Sequence, residues 1–133
     1  MEKWEAVYKF GFTTVGGVFG YLFGGWSPLL QILLAFVIID YLTGLIASGT
    51  EGKLSSKIGF RGIAKKVMIF CLIAVAHLVD RALGDGNMVR DALIFFYLGN
   101  ELLSIIENAG RTGLPVPDQI KSAVDVLKGR VSK

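Results

Sequence analysis

Two carboxylates sit where an ionised group is most expensive. Asp40 lies in the run PLLQILLAFVIIDYLTGLIA and Glu101 in VRDALIFFYLGNELLSIIEN. Ionisable groups inside apolar helices usually face a protein or water-filled interior. If both runs are helices, each carboxyl lies seven residues from its helix end, at Ala47 and Asn108, or about 10 Å at 1.5 Å rise per residue. Antiparallel helices then bring both groups into one layer. Paired carboxylates invite acid–base chemistry, but no nucleophile, metal-ligand set or phosphate loop accompanies them. They read instead as interior polar groups, one or both neutral, hydrogen-bonded to Asn100 or Thr43 or lining a polar interior. The expectation is a protein that is not an enzyme and holds no cofactor or metal.

The second carboxylate belongs to a longer polar series. Asn100, Ser104, Glu107 and Arg111 fall on one helical stripe, with Glu101 and Asn108 beside it. Such a stripe serves as interhelical glue, or as the wall of an aqueous path if several copies surround a lumen. Gly16, Gly20 and Gly24 repeat every four residues, a spacing that lets another backbone approach closely. His77 is the only histidine, near Asp80 and Arg81, and fits a polar cluster in which Asp80 pairs with one of its neighbours. The single Cys71, inside MIFCLIAV, reads as a small buried hydrophobe.

The elements that carry these residues follow from composition. In 133 residues, hydrophobic side chains make up 53% and charged ones 19%. With the 4 tyrosines left out and the 17 glycines added, the apolar share is roughly 60%, against about 45–50% in soluble domains. So small a chain has too little interior to hide that excess from water. The expectation is one all-α integral membrane domain, residues 1–133, since a spanning helix needs about 20 mostly apolar residues. Four segments are candidates: 4–23, 28–47, 64–83 and 89–108. The first has a short uncharged core, residues 10–25, rich in glycine and bracketed by Trp4 and Trp26. The alternative to four spans is three plus an N-terminal interfacial amphipathic helix. Glu2 and Glu5 ahead of the apolar stretch, with no A-x-A-like site after it, argue against a cleaved signal peptide.

Charge supplies the orientation. Four spans put 12 of the 14 basic residues on one side: Lys3 and Lys9, then Lys53, Lys57, Arg61, Lys65 and Lys66, then Arg111, Lys121, Lys128, Arg130 and Lys133. Only Arg81 and Arg90 lie opposite. The positive-inside rule then makes both termini cytoplasmic. The middle group forms a basic loop suited to anionic lipid headgroups, in preference to nucleic acid, for which no aromatic platform is present. Residues 109–133 form a cytoplasmic tail, with a short amphipathic helix over 117–127 that places Ile120, Val124 and Leu127 on one face.

In combination, DYLTG at 40–44, SSKIGFRGIAKK at 55–66 and NELLSIIENAGRTGLPVP at 100–117 resemble the bacteriophage holin family of Gram-positive phages, which includes clostridial toxin-secretion holins. The resemblance spans about residues 28–127. It implies a multi-pass protein of the bacterial host cytoplasmic membrane that assembles with itself and opens lesions. Through these a cell-wall-degrading endolysin, or a large toxin, is released. Asp40, Asn100, Glu101, Ser104, Glu107 and Asn108 are then the candidates for a polar or pore-lining interior, and Gly16, Gly20 and Gly24 for helix packing. A small ion or multidrug-type transporter and a non-conducting antiholin-like regulator are the alternatives.

Overall fold

A computed structural model describes residues 2–127 and 129. Among these it contains five helices and no strand: α1 (Glu2–Phe23), α2 (Pro28–Thr50), α3 (Ser56–Leu83), α4 (Met88–Arg111) and α5 (Asp118–Leu127). Lys128, Arg130, Lys133 and the side chain of Leu127 lie outside the described residues.

The boundaries have local causes. Ser27 caps α2, its hydroxyl accepting the Leu30 N–H at 3.2 Å, and Pro28 supplies a preset first helical residue. Ser55 caps α3 in the same way through the Ile58 N–H. Gly84, at φ 71°, ends α3 in the left-handed conformation and donates its N–H to the Asp80 carbonyl. The Asn87 side chain makes no capping bond to α4. That task falls to Asp80, whose two carboxylate oxygens accept the N–H groups of Val89 and Arg90 at 2.9 and 2.8 Å.

Two expected boundaries move. α3 starts at Ser56, eight residues before the apolar run at 64, so Lys57 and Arg61 join Lys65 and Lys66 in the helix and the loop after α2 is short. Hydropathy marks where lipid-compatible sequence begins, whereas the serine cap marks where the helix begins. α4 likewise runs on to Arg111, and α2 to Thr50.

α2 and α3, of 23 and 28 residues, are long and apolar enough to cross a membrane. α1 and α4, of 22 and 24 residues, are similar in length but lack an equally long window that is both apolar and nearly free of charge. α4 is the hub: it packs along α2 and against α3, while α2 and α3 touch little. The apolar core is contributed by Leu30, Leu33 and Val37 of α2, Ile69, Ile73 and Ala74 of α3, and Ile94 of α4, closed off by Phe23. Large apolar side chains also cover the outside, among them Ile38, Leu42, Val67, Met68, Phe95 and Phe96. An apolar exterior on this scale suits lipid and would aggregate in water. Cys71 is on that exterior, not buried as expected, because it lies off the inward stripe Ile69–Ile73.

α1 contacts the bundle only at its C-terminal end. Phe23 is buried and stacks edge-on against Phe70, whereas Trp4 through Phe19 are exposed. Arg81 lies over the Tyr21 ring, 5.0 Å from its centroid, and so is not the partner of Asp80. Near the other end of the chain, α5 packs on the end of α4, with Val124 buried.

Candidate functional site

The spacing of half-buried Lys66 and buried Ile69, Ile73, Ala76 and Asp80 on α3 defines one helical stripe facing α2 and α4. Consecutive residues on a helix diverge by about 100°. Only one of Lys65 and Lys66 can therefore point inward, and Lys66 does. Its ammonium donates to the Asp40 carboxylate of α2, and to Glu101 Oε2 and Oε1 of α4 at 2.7 and 2.9 Å. Side-chain exposure is 20% for Lys66, 8% for Asp40 and 1% for Glu101.

The three residues share a level for a simple reason. Asp40 is ten residues before the end of α2 at Thr50, Glu101 ten before the end of α4 at Arg111, and Lys66 ten after the start of α3 at Ser56. At 1.5 Å per residue each lies about 15 Å from the same end of the bundle. The expected carboxylate layer is present, and a lysine assigned to the surface loop neutralises part of it. Lys53, Lys57, Arg61 and Lys65 are exposed, as a headgroup-facing set requires; Lys66 is the correction.

From this layer a polar seam runs between α2 and α4 to the bundle end. The Asn108 amide donates to Asp40 Oδ1 at 2.9 Å, to the Asp40 carbonyl at 3.1 Å and to Thr43 Oγ1 at 3.0 Å. Its oxygen accepts from Arg111, which also binds Glu51 at 2.6 Å. The Arg111 guanidinium holds the Glu51 carboxyl below the usual carboxylate range. A polar cavity of about 230 Å³ opens beside the seam, lined by Asp40, Lys66, Ser104, Glu107 and Asn108 among others.

Of the expected interior residues, then, Asp40, Glu101 and Asn108 are buried together and Ser104 and Glu107 border the cavity. Asn100 is exposed. The stripe on α4 is centred on Glu101 and Asn108, seven residues apart, which turns Asn100 away. Asn108 thus takes the partnership with Asp40 expected of Asn100.

Tyr41 closes the α2–α3 side of the cavity. Its hydroxyl donates to the Gly59 carbonyl at 3.3 Å, and its ring lies against Gly62, where an added Cβ would come within 3.1 Å of ring carbon Cε2. The Gly-Phe-Arg-Gly segment is therefore a flat bed for an aromatic ring. Gly62→Leu is expected to lower the thermal midpoint in detergent, at a cost of about 1–3 kcal/mol from overpacking. Gly16→Ala and Gly20→Ala should hold or raise it, because an added Cβ there meets nothing within 4 Å. A Gly62→Leu midpoint equal to that of the native protein would mean the ring has room to move.

Gly16 and Gly20 accordingly pack against nothing among the described residues. Gly24 does not continue their strip: it lies beyond α1 in a turn at φ 72°, with His77 and Arg90 so close that a Cβ would clash. At this end Arg90 is buried and donates to the Phe23 carbonyl at 2.7 Å, tying α1 to α4. Asp85, in the turn before α4, is pushed above the ordinary carboxylate range by partial burial and by hydrogen bonding to Asp80.

A model of the bacteriophage holin family matches residues 17–129. An uncharacterized protein of Listeria monocytogenes is 52% identical over 126 residues, covering 95% of this chain and 90% of that one. An uncharacterized protein of Halalkalibacterium halodurans is 47% identical over 134 residues, covering 97% and 99%. A 14.9 kDa protein in the nagH 3′ region of Clostridium perfringens, also uncharacterized, is 40% identical over 131 residues, covering 98% and 99%. No solved structure matches the chain.

Proposed function

Because the chain belongs to the bacteriophage holin family, we propose that it assembles with itself in the bacterial host cytoplasmic membrane and opens lesions for an endolysin or a large toxin. In this reading α1 to α4 all span, both termini are cytoplasmic, and the exposed Lys53, Lys57, Arg61 and Lys65 meet anionic headgroups on that side.

The observation that carries the reading is the placement of polarity. A single copy presents an apolar exterior and keeps Asp40, Glu101 and Asn108 along one seam inside. A chain of 133 residues cannot enclose a wide opening alone. Many copies could do so if the α2–α4 seam turned toward a shared lumen, with the unoccupied Gly16 and Gly20 face of α1 available to a neighbouring copy. The transporter alternative has less support, since Lys66 already occupies both carboxylates that would take a cation.

Expression in a bacterial host is expected to collapse the membrane potential abruptly and arrest growth, with lysis when an endolysin is co-expressed. Dye-reported potential and culture turbidity read both steps. Unchanged potential at high expression would sink the lesion-forming reading, and suppression of another holin's lysis would favour a regulator.

A further inference from the structure

The Lys66 layer does not balance its charge. Two carboxylates, Asp40 from α2 and Glu101 from α4, meet one ammonium from α3. Groups facing this layer from every packed element leave the deficit in place. From α2 come the Tyr41 and Thr43 hydroxyls. From α3 comes Lys65, at the exposed rim of the cavity. From α4 come Ser104, the neutral Asn108 and a further carboxylate, Glu107, while Arg111 is engaged by Glu51. A net charge held this deep in a low-dielectric interior is strongly disfavoured, and a carboxyl there neutralises itself instead.

Polar access to the layer comes from one side. The polar cavity reaches Asp40 and Lys66 from the end of the bundle that carries Glu51 and Arg111. Towards the opposite end the space between the helices is filled by Leu30, Leu33, Ile69, Ile73 and Ile94. A second cavity, between α2 and α3, also touches Lys66, but its lining is otherwise mainly apolar, with Leu34, Val37 and Phe70 among it, so the polar route to the layer comes from one face.

We infer that the Asp40–Lys66–Glu101 layer is a proton-binding site, holding one exchangeable proton between its two carboxyls and filling and emptying through the cavity at the Glu51–Arg111 end. The loaded layer is electrically neutral and holds α2, α3 and α4 together. The empty layer carries a net negative charge on the α2–α4 seam and weakens it. This goes beyond lesion formation and requires only that the helices be embedded in a membrane.

Infrared difference spectroscopy of the full chain, reconstituted in phosphatidylethanolamine–phosphatidylglycerol vesicles, tests it. Asp85→Asn is used as the background, which removes the other carboxyl pair. Near neutral pH a protonated-carboxyl stretching band is expected that shifts in D2O and disappears as pH is raised. Asp40→Asn and Glu101→Gln should each abolish the band, because either change leaves one carboxylate balanced by Lys66. Absence of the band in the background protein overturns the proposal. Its persistence in both variants overturns it as well. Neither result depends on whether the protein forms lesions.

Discussion

Lys66→Met is expected to be the most damaging single substitution in the chain. It leaves the Asp40 and Glu101 carboxyls without their shared cation in a buried layer. Removing one partner from a buried ion pair costs about 3–5 kcal/mol, most of it the penalty of the charge left behind. Thermal unfolding in detergent, followed by helical circular dichroism, should show a large fall in midpoint. The cause is separable from lost packing by replacing the whole set. Lys66→Met combined with Asp40→Asn and Glu101→Gln removes the stranded charge and should recover most of the loss, since neutral replacements of buried ionic groups are often tolerated. A single Lys66→Met variant that melts with the native protein would show that the ammonium does not hold the three helices.

Asp80→Ala should have the second largest effect, at the opposite end of the bundle. Asp80 is fully buried and is the acceptor for two backbone N–H groups in the first turn of α4. A helix start has such donors unpaired unless a side chain meets them, and Asn87 does not. Hydrogen bonds to a charged acceptor contribute about 1.5–3 kcal/mol, so a loss of about 2–3 kcal/mol is expected. The damage should be local as well as global. Arg90, whose N–H is one of the two, also reaches the Phe23 carbonyl, so the α1–α2 turn loosens along with α4. Amide hydrogen exchange should accelerate at Val89 and Arg90 and around Phe23. Asp80→Asn, which retains one acceptor oxygen, should do less. Unchanged exchange at Val89 and Arg90 in Asp80→Ala would remove the capping role.

Much of this was legible in the residues. The seven-residue distance of Asp40 and Glu101 from the ends of their apolar runs already put both carboxyls in one layer. The longer helices keep that relation, because α2 and α4 each extend by three residues at that end. Ser27-Pro28 and the Gly-Asp-Gly-Asn turn mark boundaries that helical caps and left-handed glycines then realise. Less legible was the difference between neighbours on one helix. Lys65 and Lys66 look alike as a basic pair, and Asn100 and Glu101 look alike as a polar pair. A rotation of 100° sends one of each inward and the other out. The inward stripe continuing from Lys66 through Ile69 and Ile73 was the available signal, concealed because the pair stands at the mouth of the apolar run and was counted with the basic loop.

By itself the sequence determined the local terms: the helical periodicity, the caps, the apolar excess that demands lipid, and the depth of each polar group along its own helix. These depend on neighbours within a few residues and on the solvent the side chains require. Only the tertiary structure decided which groups meet. It set Lys66 between the carboxylates of two other helices, gave Asp40 to Asn108, made Asp80 the cap of a helix it does not belong to, and left Gly16 and Gly20 without a partner among the described residues. The reason is physical. Depth follows from rise per residue, but partnership depends on how each helix is rotated about its axis, and that rotation is fixed when several helices bury their polar groups against one another.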